Sequence, residues 1–190
     1  MKKLIVYDFD KTIYDGDSTL DFYIFCLLDN ISLIRYFPFQ LLAFILYKLK
    51  IKDKLYFKQK FFIFLIGISN IDEKIKVFWN LNERKMKKWY IDKEHQNDVI
   101  ISASPEFLLE YVFKEIKINK LIATDIDKKS GIFNSPNCYG EEKVIRIHKE
   151  FDKFIIKEFY SDSLSDIYLA KLAMSSFLVK ENYIKKWIIK

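Results

Sequence analysis

The sequence predicts an α/β fold built on a mainly parallel β-sheet. Short runs of apolar, β-branched residues alternate along the chain with segments of helical periodicity, which is typical of parallel strands joined by crossover helices. The chain has 190 residues, of which 51% are hydrophobic, so it can bury one large core. A long apolar stretch without strand signals interrupts the pattern after the first strand and indicates an inserted helical region.

Five strands are expected in this sheet, at 3–7, 98–101, 120–123, 154–160 and 177–179, the last with the weakest pattern. Helices are expected between them at 105–115, 141–151 and 165–174. Pro105 suits the first position of the first of these helices, and Ser104 suits the N-cap before it. Strands that alternate with helices in this way predict a Rossmann-like core of three layers, with the sheet between two layers of helices.

The inserted region follows the first strand and is strongly apolar. Its helical segments are expected at 20–28, 31–48, 55–66 and 71–89, separated by Asn, Asp and Gly residues. We therefore expect two domains. Residues 1–14 and 93–190 would form the core, and residues 15–92 would form a helical cap inserted into it.

The composition excludes some classes of protein. The chain has a formal net charge of +6 but only three arginines, Arg35, Arg84 and Arg146. Proteins that bind nucleic acids rely on Arg for bidentate contacts, so no nucleic-acid partner is expected. Cys26 and Cys138 lie too far apart in sequence for a metal motif or a disulfide framework, and the first residues do not resemble a signal peptide. A cytoplasmic location is expected.

Polar side chains follow the expected strands at the points where the strands end. Asp8 and Asp10, in the segment DFDKT, come directly after the first strand. Ser102 ends the second strand along the chain, and Asp162 follows the strand at 154–160. Ligands of open α/β sheets bind at the carboxyl ends of the strands, where these residues would meet. Each of them also has an ordinary alternative; Asp162 and Asp166, for example, could simply cap a helix.

Several carboxylates around one strand end cannot all ionise without a cation. His95 and His148 are the only histidines, so oxygen ligands are expected, and these suit Mg²⁺. A phosphate group could complete the coordination shell, held by a serine hydroxyl and by the ammonium of a lysine such as Lys143. One carboxylate could then attack phosphorus while the second handles the protons.

Four segments in order, DFDKT, IISAS, GEEKV and YSDSLSD, resemble the four signature motifs of the haloacid dehalogenase superfamily. The chain is most similar to the branch of phosphoserine-phosphatase-like enzymes, which carry a helical C1-type cap after the first motif. The resemblance covers essentially the whole chain. It implies an Mg²⁺-dependent hydrolase of phosphomonoesters that acts on a small phosphorylated metabolite. Because family members with a carboxylate two residues after the nucleophile perform phosphoryl chemistry, dehalogenation is not expected.

The resemblance also implies a role for each motif residue. Asp8 would be the nucleophile that forms an aspartyl-phosphate, and Asp10 would be the general acid and base. Asp166 would support the metal shell or Lys143. The Mg²⁺ ligands would be Asp8, Asp10 through its carbonyl group, and Asp162. The residues expected to contact phosphate or to orient its site are Thr12, Ser102, Ala103 and Lys143. The segment 126–134 resembles the small β-hairpin of the family and is not expected to be catalytic.

The substrate is less well defined. Asp17 stands where phosphoserine phosphatases carry an acidic residue for the substrate amine. The Arg expected in the cap for the substrate carboxylate is replaced by Phe62, with Lys58 or Lys60 as possible substitutes. Phosphoserine is therefore disfavoured.

Two apolar cap segments, FPFQLLAFILY and FFIFLIGI, are separated by a stretch that contains Lys48, Lys50, Lys52, Lys54, Lys58 and Lys60. Their simplest interpretation is packing between cap helices. A second interpretation is an apolar pocket or a peripheral contact with a membrane, because apolar and basic residues together attract anionic lipids. Some relatives that cleave phosphatidylglycerophosphate look similar here, so a lipid-phosphate phosphatase is an alternative. A phosphotransferase is another.

Overall fold

We describe the fold from a computed structural model, which describes residues 1–93, 95–114 and 116–189. Within these residues, six strands form one sheet in the order β3-β2-β1-β4-β5-β6. All neighbouring pairs are parallel except β5 and β6, which are antiparallel. The strands are β1 (Lys2–Tyr7), β2 (Asp98–Pro105), β3 (Lys120–Thr124), β4 (Phe154–Ser161), β5 (Ala173–Lys180) and β6 (Tyr183–Lys186). The predicted α/β fold with a mainly parallel sheet is confirmed.

The sheet is buried on both faces around its central strand β1, which carries apolar side chains on both sides, whereas β6 at its edge is exposed. Leu4 and Val6 point to one face, and Ile5 and Tyr7 point to the other. The first face packs against α7 (Glu141–Glu150) and α8 (Ile167–Ala170). The second face packs against α6 (Glu106–Val112) and the inserted helices. The core has the three layers that the sequence predicts.

The insertion between β1 and β2 is helical throughout its regular parts. Its α-helices are α1 (Ser18–Asp29), α2 (Phe37–Lys48), α3 (Lys54–Phe61), α4 (Ile71–Asn82) and α5 (Lys88–Ile91). Three 3₁₀ turns lie between them, at Ile31–Tyr36, Phe62–Gly67 and Glu83–Lys85. Aspartates cap two of the helices: the Asp17 carboxylate accepts from the Leu20 N–H at 3.0 Å, and the Asp53 carboxylate accepts from the Tyr56 N–H at 2.8 Å.

The two connections that join the insertion to the core lie side by side. Tyr14 and Met86 form an antiparallel bridge. The Lys87 N–H donates to the Ile13 carbonyl at 2.8 Å, and the Asp15 N–H donates to the Lys85 carbonyl at 2.8 Å. The chain therefore leaves and re-enters the core through one short ladder of backbone hydrogen bonds.

On its other side, the insertion contacts a small hairpin of the core. Ile126 and Phe133 pair in this hairpin, at the segment where the sequence predicts one. Gly131, at φ 75°, lies against the backbone of Phe62, where a Cβ atom would clash. The Lys128 ammonium is 2.6 Å from the Asp72 carboxylate. The insertion is thus held at its connections and at the hairpin.

Some predicted elements differ from the structure. Ser104 is not a helix cap, because β2 continues through Pro105 and α6 begins at Glu106. The predicted helix at 165–174 is wrong over its second half, where Ala173 already pairs with Ile156 as part of β5. A sixth strand, Tyr183–Lys186, was not predicted. The predicted end of another helix, at Glu115, lies outside the described residues.

The long cap helices predicted from the sequence are broken into shorter ones. The segment 31–48 divides before α2, where Pro38 occupies one of the first two helical positions. The segment 55–66 ends its α-helix at Phe61 and continues as a 3₁₀ turn. The α-helices of the insertion are therefore shorter than the apolar runs that predict them.

Candidate active site

Polar side chains from four parts of the chain converge at the carboxyl edge of the sheet. Asp8 follows β1, and its N–H donates to the Tyr160 carbonyl of β4 at 2.9 Å. Ser102 lies in β2, and Asp162 directly follows β4. Lys143 reaches this edge from the first turn of α7. The topology therefore brings together the residues that the sequence analysis expects at one rim.

The centre of the site is an ion-paired cluster around Lys143. Its ammonium donates to the Asp8 carboxylate at 2.7 Å and to the Asp166 carboxylate at 2.8 Å. The Ser161 hydroxyl also donates to Asp166, at 2.7 Å. All four side chains are buried. The Lys143 ammonium thus pairs with two buried carboxylates at once. Its contact with Asp166 fixes the ammonium next to Asp8.

Negative charge exceeds positive charge in this cluster. Burial raises the pKa of Asp8 to about 7; Lys143 opposes the rise, and Asp166 and Asp10 add to it. For Lys143, burial favours loss of the proton, but the two carboxylates outweigh it and hold its pKa above the ordinary value. Lys143 therefore stays charged, and the surplus of carboxylates favours a bound cation.

Thr12 connects the first and last motifs. Its hydroxyl donates to the Asp8 carboxylate at 3.4 Å and accepts from the Asp162 N–H at 2.9 Å. Asp162 is partly buried, and burial raises the pKa of its carboxyl group. Thr12 thus sets the spacing between Asp8 and Asp162, which lie on the same side of the sheet edge.

Asp10 is directed towards the insertion. One of its carboxylate oxygens accepts from the Ser18 N–H at 2.6 Å, and the other accepts from the Ser104 hydroxyl. Burial raises the pKa of Asp10 to about 6, with Asp17 adding to the rise and both serines opposing it. Neither Ser18 nor Ser104 was predicted as a site residue. The available signal for Ser104 was its spacing of two residues from Ser102, because residues i and i+2 of a strand share one face.

The donor set at this edge fits Mg²⁺. The carboxylates of Asp8 and Asp162 and the carbonyl of Asp10 are oxygen ligands, which Mg²⁺ prefers. In the part of the chain that the structure describes, no three His, Cys, Asp or Glu side chains form a metal site by themselves. A cation here would therefore need the backbone carbonyl and outside oxygens, such as water or phosphate, to complete its shell.

A cavity of about 380 Å³ lies between this edge and the insertion. Asp10, Ala103 and Ser104 line its core side, and Asp17 and Thr19 line the side of α1. The wall formed by the insertion is apolar and basic, with Lys54, Phe57, Lys58, Phe61 and Phe62. Phe62, the residue predicted to stand in place of the family's Arg, lines this cavity.

Lys58 lines the cavity and is hydrogen-bonded across it to the core. Its ammonium donates to the Ala103 carbonyl at 3.1 Å and to the Asn137 side-chain oxygen at 2.8 Å. Burial, together with the nearby charge of Lys54, lowers its pKa to about 8. Lys60 is exposed and is not among the residues that line this cavity. Of the two lysines that the sequence analysis considered, Lys58 is the one in the cavity.

A larger cleft of about 670 Å³ lies elsewhere, along α6, β3 and α7. Four of its charged side chains form two ion pairs: Arg146 with Glu142 at 3.0 Å, and Lys120 with Glu150 at 2.8 Å. It contains none of the converging motif residues. The smaller cavity is the better candidate because Asp10 and the end of β2 open into it.

Comparisons with known proteins agree with this architecture. Among solved structures, a protein of unknown function from Bordetella pertussis Tohama I has a TM-score of 0.71 at 16% identity, over 93% of this chain and 89% of its own. A phosphoserine phosphohydrolase-like protein from Francisella tularensis subsp. tularensis SCHU S4 has a TM-score of 0.54 at 15% identity, over 96% of this chain and 90% of its own. A substrate-bound phosphoserine phosphatase has a TM-score of 0.50 at 14% identity, over 93% and 85%.

At these identities the structural likeness establishes the shared fold and nothing finer. A comparison with curated proteins finds no match. A family model is more informative: the model of haloacid dehalogenase-like hydrolases matches residues 5–171, which is most of the chain. The chain belongs to the haloacid dehalogenase-like hydrolases.

Proposed function

We propose that the protein is a cytoplasmic phosphatase that hydrolyses a small phosphorylated metabolite through an aspartyl-phosphate. One observation carries the proposal. The Asp8 carboxylate lies 2.7 Å from the Lys143 ammonium, and Asp10, two residues further on, lines the adjacent cavity. A nucleophile, a countercharge and a second carboxylate are the parts that phosphoryl transfer to an aspartate requires.

In the first half of the reaction, a carboxylate oxygen of Asp8 attacks phosphorus and displaces the ester oxygen of the substrate. Asp10 gives its proton to that leaving oxygen, so the alcohol departs neutral. In the second half, Asp10 takes a proton from water, which attacks the phosphoaspartate and releases inorganic phosphate. Asp8 returns as a carboxylate and Asp10 as an acid, so the protons balance.

Lys143, Ser102 and the Ala103 N–H would hold the phosphate oxygens. The Ser102 hydroxyl accepts from the Ser104 N–H at 3.1 Å, which leaves its own hydrogen to donate to phosphate. Asp162 would serve as a metal ligand, and Asp166 would hold the Lys143 ammonium in position. Bound Mg²⁺, held by Asp8, Asp162 and the Asp10 carbonyl, would screen the negative charges of nucleophile and phosphate from each other.

We assign residues 15–92 the role of a cap over this site. Ser18 reaches Asp10 from the start of α1, and Lys58 reaches the Ala103 carbonyl from α3. Both contacts join the insertion to residues of the reaction site. The insertion would therefore exclude water and set the orientation of Asp10 when it lies against the core.

The cavity favours a substrate with an apolar part and a second anionic group. Lys58 uses two of its three N–H bonds within the protein, which leaves one for a substrate oxygen. Phosphoserine fits less well because Phe62 occupies the cavity where an Arg would bind its carboxylate. The aromatic wall formed by Phe57, Phe61 and Phe62 supports a second candidate, a lipid phosphate of the phosphatidylglycerophosphate type. Transfer of the phosphoryl group to an alcohol instead of water is a third.

Metal removal tests the proposal directly. We expect the protein to hydrolyse p-nitrophenyl phosphate with added Mg²⁺, to lose this activity in EDTA, and to regain it when Mg²⁺ is restored. Activity that persists unchanged in EDTA would contradict the assignment of the site. A screen of phosphorylated metabolites and lipid phosphates under the same conditions would then separate the candidate substrates, and product analysis with added alcohols would reveal phosphotransfer.

Replacing Lys58 with methionine should raise KM about tenfold for a phosphate ester that also carries a carboxylate, because one charge-assisted hydrogen bond is lost. The KM for p-nitrophenyl phosphate should change little. In the wild type, the same KM should rise as the pH passes about 8, where Lys58 loses its proton. Initial rates measured across pH test both expectations.

Two variants serve as controls for Lys58. Lys60→Met removes an exposed charge two residues away and should leave KM unchanged. Lys58→Arg keeps its charge at alkaline pH and should abolish the rise of KM near pH 8. An equal effect of Lys58→Met on both substrates would contradict the assigned contact.

A further inference from the structure

The outer surface of the insertion exposes an unusual amount of apolar area. In the segment Ile31–Lys48, only 17% of the residues are buried. The exposed side chains of α2 that form this surface, which we call the α2 face, are Phe37, Phe39, Leu41, Leu42, Phe44 and Ile45. Single exposed apolar residues are ordinary in proteins, but a contiguous apolar patch of this kind marks a surface that binds a partner.

The insertion already uses the opposite side of α2 for its own packing. Gln40 and Ala43 are buried there. The Gln40 side chain accepts from the Tyr23 hydroxyl at 2.6 Å and donates to the Phe61 carbonyl at 2.8 Å. These contacts fix the rotation of α2 about its axis. The α2 face therefore points outwards because of specific packing, and Phe39 and Leu42 remain 58% and 56% exposed.

The charges around the α2 face have one sign. From residue 30 to residue 52 the sequence contains no Asp or Glu, while Arg35, Lys48, Lys50 and Lys52 lie in or beside the apolar run. A second copy of the chain that packed its own α2 face here would bring lysines against lysines. An anionic partner would be attracted instead, and a lipid surface with anionic headgroups offers both the negative charge and the apolar interior.

Ile31–Lys48 is long and apolar enough to cross a membrane by length and composition. The sheet topology opposes a crossing. β1 precedes this segment and β2 follows it, yet the two strands pair in the same sheet, with Val6 opposite Val99. A single crossing would place these strands on opposite sides of the bilayer. A helix lying along the surface satisfies the topology.

We propose that the α2 face docks the protein onto the surface of a membrane that contains anionic lipids. Phe39, Leu42 and their exposed neighbours enter the boundary between headgroups and acyl chains, and the lysines that follow α2 contact the headgroups. The α2 face lies next to the candidate site. Phe44 of α2 packs against Phe57 at a ring distance of 5.5 Å, and Phe57 lines the cavity. The proposal does not depend on the phosphatase activity.

Co-sedimentation with vesicles tests the proposal. The full chain should sediment with vesicles of phosphatidylcholine mixed with phosphatidylglycerol, and much less with phosphatidylcholine alone. The double variant Phe39→Glu/Leu42→Glu should lower the partition coefficient at least about tenfold, because it adds charge where apolar area is buried. The matched control is Ile145→Glu/Met174→Glu, which adds the same charge outside the insertion. Ile145 in α7 and Met174 in β5 are apolar residues that are 56% and 74% exposed. This control should bind like the wild type once the common charge effect is subtracted.

Circular dichroism and thermal unfolding establish that both variants are folded, so the test stands even if no phosphatase activity is found. Absence of binding to the anionic vesicles would overturn the proposal. Equal binding to both vesicle types, or equal loss in the two double variants, would also overturn it. Sedimentation velocity adds one more outcome: a dimer that Phe39→Glu/Leu42→Glu dissociates, without vesicle binding, would assign the α2 face to a second copy of the chain.

Discussion

Replacing Asp8 with asparagine should lower the turnover of p-nitrophenyl phosphate by about 10⁴-fold or more, the scale of losing a nucleophile. The amide is a poor nucleophile and cannot form the phosphoaspartate. Because Asn has the same shape as Asp, the Thr12 contact and the rest of the site should persist. Rates measured at saturating substrate and Mg²⁺ give this effect as a change in kcat.

We also predict the effect of Asp8→Asn on thermal stability. Burial raises the pKa of Asp8 to about 7, so in the absence of metal its ionisation opposes folding as the pH rises through that value. Asp8→Asn removes this cost, while Lys143 keeps Asp166 as its partner. In EDTA at pH 8, its midpoint of thermal unfolding should be equal to or above that of the wild type.

Asp15→Asn is the matched control for Asp8→Asn, since Asp15 is an exposed aspartate in the same loop. It should retain near wild-type turnover. Substantial turnover by Asp8→Asn, freshly purified and free of deamidated protein, would contradict the nucleophile assignment. A large loss of stability in that variant would show that the Asp8 charge holds the fold together, which the raised pKa argues against.

Replacing Lys143 with methionine should destabilise the protein by about 3–5 kcal/mol, the usual effect of removing one member of a buried ion pair. Asp8 and Asp166 would then face each other in a buried site without a cation. The Lys143→Met variant should also lose phosphatase activity. Chemical denaturation at pH 8 measures the loss, which should shrink at acidic pH, because the two carboxylates can then take up protons and remove their repulsion.

An exposed lysine provides the comparison for Lys143→Met. Lys120 also pairs with a carboxylate, that of Glu150 at 2.8 Å, but both side chains are well exposed. Lys120→Met should therefore cost less than about 1 kcal/mol. Adding Asp166→Asn to Lys143→Met should recover part of the stability but none of the activity. Equal effects of the two lysine variants would contradict the buried, structural role of Lys143.

The position of the site could be predicted from the sequence, because parallel strands bring their carboxyl ends to one edge. Asp8 and Asp162 each directly follow a strand, as predicted, whereas Ser102 lies within β2, which continues to Pro105. Ser104 was misassigned because a serine before Pro-Glu is a good helix N-cap, and the pairing of Pro105 with Thr124 in the sheet overrode this preference. Such pairing depends on distant residues and leaves no local signal.

The contacts made by the insertion could not be read from periodicity. Lys58 and Lys60 are equivalent by composition, and only the rotation of α3 places Lys58 over the Ala103 carbonyl. Likewise, the run from Phe37 to Lys48 reads equally well as a buried helix or as an exposed one. The burial of Gln40 and Ala43 decides which side faces the interior. Both choices follow from tertiary packing, which the linear pattern does not contain.

The ladder formed by Tyr14, Met86 and Lys87 limits how the site can open. Because both covalent connections of the insertion meet at this ladder, we expect any movement of the insertion relative to the core to pivot there. The contacts of Lys58 with Asn137 and of Lys128 with Asp72 join the insertion to the core outside the ladder, so they would have to break before the insertion could move away. Weakening either contact should therefore favour an open arrangement of the two parts.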